Sequence, residues 1–207
     1  TKSLYLKSEY NRRHIMVAPD VWMDEVSNPD FIEDPTLYRA CRLQAASEGL
    51  RVRIGRWNVP GKPTAILVDF KQFLTRQDEI MTEFWKRFGV DSLTGNWDYR
   101  ESALFGYAAG RVIESFYNFN LEPSDKVVAQ FHEWMTGTGL LYLKSVNVPI
   151  ATVFTTHATV IGRCIAGNNL PLYDGMNTWN ADEKARNFNV VARHSLEKKA
   201  AQNSDIF

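Results

Sequence analysis

Apolar residues fall into two kinds of run, short unbroken stretches and longer ones at helical spacing, and the two alternate through the second half of the chain. Pro149 to Phe154 is apolar and β-branched at nearly every position, which reads as a central parallel strand covered by helices on both faces. Thr155 and Thr156 then offer hydroxyl caps to a helix starting near Ala158, with His157 in the turn. One strand earlier the plan repeats. Pro123-Ser124-Asp125 opens a strand over Lys126 to Phe131, and a helix over 134–145 begins directly after His132-Glu133. Gly137 and Gly139 lower the propensity of that helix, so close backbone packing against the sheet is predicted there. Strand and helix in alternation give an α/β fold with a mostly parallel sheet, helices on both faces and right-handed crossovers.

The first half is less regular. Residues 2–10 read as the end of a short helix, and Arg13 to Ala18 as a strand stopped by Pro19-Asp20. A helix follows Pro35 and runs to about Ser47, with Leu37, Cys41, Leu43 and Ala45 as its apolar side and Gly49 as its end. Arg51 to Arg56 alternates, Trp57 to Gly61 turns, and Thr64 to Asp69 is a buried strand, so this pair is predicted to be an antiparallel hairpin. Ile80, Met81, Phe84, Trp85 and Phe88 mark a helix over 77–88. The strongest helix is Tyr99 to Phe116, with Phe105, Ala108, Ala109, Val112, Ile113 and Phe116 on one face. Beyond a long loop over 167–179, Asn180 caps a helix whose buried face is Phe188, Val191, Ala192 and Leu196 and which reaches Gln202. Asp205-Ile206-Phe207 reads as the opening of one more buried strand, and the chain as part of a longer protein.

Charge narrows the range of partners. Lys plus Arg and Asp plus Glu each number 24, and the net charge of zero disfavours a nucleic-acid or anionic-membrane surface. The N-terminus lacks a signal-like apolar core, and Cys41 and Cys164 stand far apart, so reduced thiols in a cytoplasmic protein are expected. Dinucleotide and phosphate-loop glycine patterns are missing, as is a nucleophile elbow. His132-Glu133 lacks the second histidine of a zinc peptidase, so neither a metal nor a cofactor is expected. The six tryptophans read first as packing, although sugars also stack on such rings.

What remains is a carboxylate, Glu133, and an imidazole, His157, each emerging where a strand hands over to a helix. In open α/β sheets that rim is where ligands bind. Each residue also has a plainer role open to it, Glu133 as a first-turn partner of the helix dipole and His157 as a structural turn residue.

Longer motifs add to this. Gln130-Phe131-His132-Glu133-Trp134 with Gly137-x-Gly139-Leu140-Leu141, then Val153 to Thr159 with Gly162-Arg163, resemble the glycogen synthase family of eukaryotic type. Gly55-Arg56-Trp57, Ala103 to Tyr107, Tyr173 to Asn180 and Glu197-x-x-Ala200-Ala201 extend the likeness over nearly all 207 residues. Gln130 departs from the family's usual His. The resemblance implies the N-terminal, acceptor-side Rossmann-like domain, over 1–207, of a two-domain GT-B glycosyltransferase. It implies retaining transfer of glucose from a nucleotide sugar, UDP-glucose ahead of ADP-glucose, to the non-reducing end of an α-1,4-glucan such as glycogen. The nucleotide-sugar domain would lie outside the chain, leaving it inactive alone, and a homo-oligomer of the full-length protein is left open. Glu133 and His157 match residues implied to be catalytic, and Arg163 and His132 residues implied to bind substrate. Two alternatives stand beside this: a non-catalytic glucan-binding or regulatory module of the same fold, and a flavodoxin-like small-ligand domain.

Overall fold

The computed structural model describes residues 14–22 and 30–207, and the helix expected over 2–10 lies outside them. The described chain forms two compact units, one running up to Gln72 with Arg111–Pro123 added, the other comprising Phe73–Gly110 and Ser124–Phe207.

In the first unit a four-stranded sheet has the order β1-β4-β3-β2, from β1 (Ile15–Pro19), β2 (Phe31–Glu33), β3 (Arg51–Trp57) and β4 (Thr64–Asp69). The β3–β4 hairpin is antiparallel, as its alternation and turn residues predict, while β1 joins β4 in parallel. Every residue of β4 is buried, which matches its unbroken apolar run. β2 is a short edge strand that its three residues did not announce. Helix α1 (Arg39–Ser47) buries Cys41 and Ala45, but Leu43, expected on the same side, is 63% exposed. Residues 41 and 45 lie one turn apart, and position 43 points half a turn away from both.

The second unit carries the repeated strand-to-helix turns. Helix α2 (Gln77–Phe88) buries Ile80 and Phe84, while Trp85, expected in its apolar face, is exposed. Helix α3 (Trp97–Asn120) begins in this unit and buries Tyr99, Ala103, Leu104, Ala108 and Ala109 along it. Strand β5 (Val128–His132) pairs in parallel with β6 (Ala151–Thr155), and the connection between them contains a 3-10 turn, Trp134–Thr136, and helix α4 (Gly137–Val146). On the other side of β6, Val153 makes an isolated parallel bridge to Ile206, so β6 has a neighbour on both sides, but the buried strand expected over Asp205-Ile206-Phe207 is only this bridge, with Ile206 62% and Phe207 69% exposed. The parallel pairings are therefore β1–β4, β5–β6 and this bridge, while β2–β3 and β3–β4 run antiparallel. β6 is not covered throughout as its composition suggests: Thr152 and Phe154 are buried, Ala151 is exposed.

Leu140, Leu141 and Leu143 of α4 are almost wholly buried, each contributing about 2 kcal/mol of transfer free energy. The glycines of α4 let it pack closely. A Cβ on Gly139 would sit 2.5 Å from the carbonyl oxygen of Gly106 in α3 and 2.8 Å from the Phe131 ring in β5. Helix–helix contact is thus half of the compensation, beside the predicted contact with the sheet. Helices α5 (Val160–Gly167), α6 (Ala181–Asn187) and α7 (Val191–Asn203) complete the unit. Asn180 caps α6 by accepting from the Glu183 N–H, as expected. The single helix expected from Asn180 to Gln202 is instead two, because Asn189 takes a left-handed φ of 56°. The Val190 and Asn189 N–H groups close back on the Ala185 and Arg186 carbonyls, a Schellman ending with Asn in the position glycine usually holds.

Candidate active site

The site is built where β5 and β6 end side by side. His132, the last residue of β5, is in register with Thr155, the last of β6, so the residues that follow both strands leave the sheet at one edge. Glu133 and His157 are among them. The Glu133 N–H donates to the Thr155 carbonyl at 2.8 Å, continuing the ladder one residue past β5. At that point the chain turns sharply. Glu133 has φ 63° and ψ 165°, a combination that a side chain strongly disfavours and that costs on the order of 1–3 kcal/mol.

The carboxylate is held as firmly as the backbone. Oε1 accepts from the His157 N–H at 2.9 Å, and Oε2 from the Thr156 hydroxyl at 3.3 Å. Arg163 lies on α5 with its Nη2 4.0 Å from Oε1, and its Nε donates to the Ala158 carbonyl. Glu133 keeps only 15% of its side chain exposed, whereas Arg163 is 63% exposed. The His132 and His157 rings lie parallel, with centroids 6.0 Å apart and planes inclined by 4°. His157 itself is exposed at the rim. All four residues singled out in the sequence therefore meet within one edge of one unit. Among the described residues no group of three or more His, Cys, Asp or Glu side chains is arranged to hold a metal ion.

The helix start differs from the expectation. Thr155 and Thr156 do not cap α5; Thr159 does, its Oγ1 accepting from the Gly162 N–H at 3.0 Å. The two earlier hydroxyls are occupied elsewhere: Thr155 accepts from Gln130 Nε2 at 2.9 Å, and Thr156 donates toward Glu133. Gln130, the departure from the family pattern, thus contacts β6.

One residue of the neighbourhood, Glu197, comes from far along the chain and has no local signal for its place here. Glu197 of α7 is 5% exposed, and both of its oxygens accept from the Val160 N–H, at 3.2 and 3.0 Å, in the first turn of α5. Its Oε1 is also 3.4 Å from the Thr156 hydroxyl. Burial pushes its carboxyl above the usual range, the Val160 N–H and Thr156 pull it back, and the nearby Glu133 charge pushes it up again. It sits 37 residues after Val160, and only the Glu197-x-x-Ala200-Ala201 motif marked it.

A family model described as glycogen synthase matches residues 1–207. The glycogen [starch] synthase of Dictyostelium discoideum is 31% identical over 210 residues, covering 100% of this chain and 23% of that protein. That of Neurospora crassa is 26% identical over 208 residues, covering 100% and 29%, and the liver form of Rattus norvegicus is 30% identical over 159 residues, covering 77% and 22%. The chain spans about a quarter of the length of these curated relatives.

Proposed function

The chain belongs to the glycogen synthase family, and on that premise we propose that it supplies the acceptor-side, Rossmann-like domain of a two-domain GT-B glucosyltransferase. The full-length protein moves glucose, with retention, from a nucleotide sugar to the non-reducing end of an α-1,4-glucan in the cytoplasm. UDP-glucose is the first donor to try. A second domain supplies the nucleotide pocket, and this chain alone does not turn over.

The observation that carries the reading is the conformation of Glu133, a strained backbone fixed by its neighbours at the carboxyl edge of two parallel strands. Such strain persists where surrounding contacts over-determine it, and it gathers at sites of function. In this reading Glu133 anchors the turn that presents His157, whose exposed ring hydrogen-bonds the hydroxyls of the transferring glucose. The Glu133 charge favours the oxocarbenium-like transition state, and it is aligned by groups already in place, so little reorganises during the reaction. His132, stacked beside His157, limits the ring's freedom and lines the same surface. Arg163, 63% exposed at the rim, offers a cation toward the departing diphosphate.

His157→Ala in the full-length protein tests this. Transfer of labelled glucose from UDP-glucose to glycogen is expected to fall by at least about 100-fold, the scale of a lost positioning contact at a reacting centre. Glycogen binding, measured by co-sedimentation, should stay within about two-fold of the parent, since removal of a contact made in the transition state leaves ground-state affinity in place. A binding or regulatory module would show no loss of transfer.

A further inference from the structure

Glu197 stands outside every role given so far, and its position is hard to account for by packing alone. α7 fits its surroundings through apolar contacts, with Leu196 and Ala200 set against Gly137 of α4. A buried carboxylate in that surface costs several kcal/mol unless it is well partnered. Among the described residues its hydrogen-bond donors are the Val160 N–H, at the start of α5, and the Thr156 hydroxyl, in the turn before it, and His194 of α7 acts on it through charge. The Thr156 hydroxyl has a single proton and three acceptors around it, Glu133 Oε2 at 3.3 Å, the Ala158 carbonyl at 3.3 Å and Glu197 Oε1 at 3.4 Å. Since that proton serves one acceptor at a time, Thr156 joins the two acidic groups when Glu197, whose carboxyl burial pushes up, is protonated and donates to Thr156 Oγ1 while Thr156 donates to Glu133 Oε2. Glu133 in turn accepts from the His157 N–H. A continuous path therefore runs from α7 through Glu197, Thr156 and Glu133 to the backbone of His157.

We propose that Glu197 is a positioning residue for glucosyl transfer, fixing through Thr156 the carboxylate of Glu133 and the turn that presents His157. The inference rests on the function proposed for the rim. It adds that the precision of the rim is set from α7, beneath it. Loss of the link lets the 156–158 turn shift against β5, and a displacement near 1 Å at a reacting centre costs on the order of 100-fold in rate while ground-state binding is kept.

The test uses the full-length protein with UDP-glucose and glycogen. Thr156→Val removes the hydroxyl and keeps the shape; Thr156→Ser restores the hydroxyl; Glu197→Met fills the buried space without oxygens. Thr156→Val and Glu197→Met are each expected to lower kcat by about 10- to 100-fold with KM for the donor within about two-fold. Thr156→Ser should stay within about three-fold of the parent. The double variant Thr156→Val/Glu197→Met should be no slower than the worse single one, because both break one path. Thermal denaturation of each variant is recorded beside the kinetics. If Glu197→Met does not fold, the Val and Ser variants decide: a parental kcat for Thr156→Val, or an equal loss for Thr156→Ser, overturns the proposal. Losses that multiply in the double variant overturn it as well. His157→Ala separates the two levels. If it is impaired while Thr156→Val and Glu197→Met are not, the path alone is wrong; if it retains full rate, the reading of the rim falls, and this proposal with it.

Discussion

Glu133 is where chemistry and conformation are most tightly joined. Sequence placed it correctly at the end of a strand, beside the turn holding His157, because position along an α/β alternation is a local property. Its φ of 63° was not legible, since nothing in Phe-His-Glu-Trp asks for a left-handed residue and the cost is met by hydrogen bonds to a segment 24 residues away. The same holds for Glu197, whose partners lie 37 and 41 residues off. The strain is measurable by comparing two truncations that both lose the carboxylate. Glu133→Gly should be more stable than Glu133→Ala by about 1 kcal/mol or more in urea denaturation, because only glycine relaxes there. Equal stabilities would mean that the conformation is not strained.

At the scale of elements, periodicity located β3 to β6 and α1 to α4 well, while boundaries and caps shifted. Threonine runs and asparagines were the reason. Near β6, Thr155 accepts from Gln130 and Thr156 donates to Glu133, while the cap falls to Thr159, which accepts from the Gly162 N–H. Asn189, unlike a glycine, gave no warning that it would divide α6 from α7. The glycines differ among themselves in a testable way. Gly139→Ala puts a methyl against the Gly106 carbonyl and the Phe131 ring and should cost about 1–3 kcal/mol. Gly167→Ala, at the exposed end of α5 with nothing within 4 Å, should instead gain up to about 1 kcal/mol. Chemical denaturation of the two variants should therefore move in opposite directions.

For the molecule as a whole, the segment that closes the second unit is held by charge. Asp205 accepts from Lys144 Nζ at 2.7 and 2.8 Å and from the Thr152 N–H and hydroxyl, which lock Ile206 alongside β6. Lys144 foremost, then the Thr152 groups, bring its carboxyl down to about 2 from an ordinary 3.8. A lowered value in the folded state means that its contribution is present above the ordinary value and is lost as pH falls toward 2. The stability difference between the parent and Asp205→Asn should shrink across that window, and a difference constant with pH would contradict it. Asp205 is half exposed, so solvent screens part of the effect.

In the proposed function the Glu133 carboxylate, carried on a strained backbone, serves glucosyl transfer through the turn it anchors. The sharpest test of this role is the turnover of full-length Glu133→Gly at saturating UDP-glucose and glycogen. The backbone relaxes in this variant, yet glucosyl transfer is expected to fall by at least about 10- to 100-fold, because the His157 turn loses its anchor. Transfer at the parental rate by a folded Glu133→Gly protein would mean that the rim carboxylate is dispensable for the reaction.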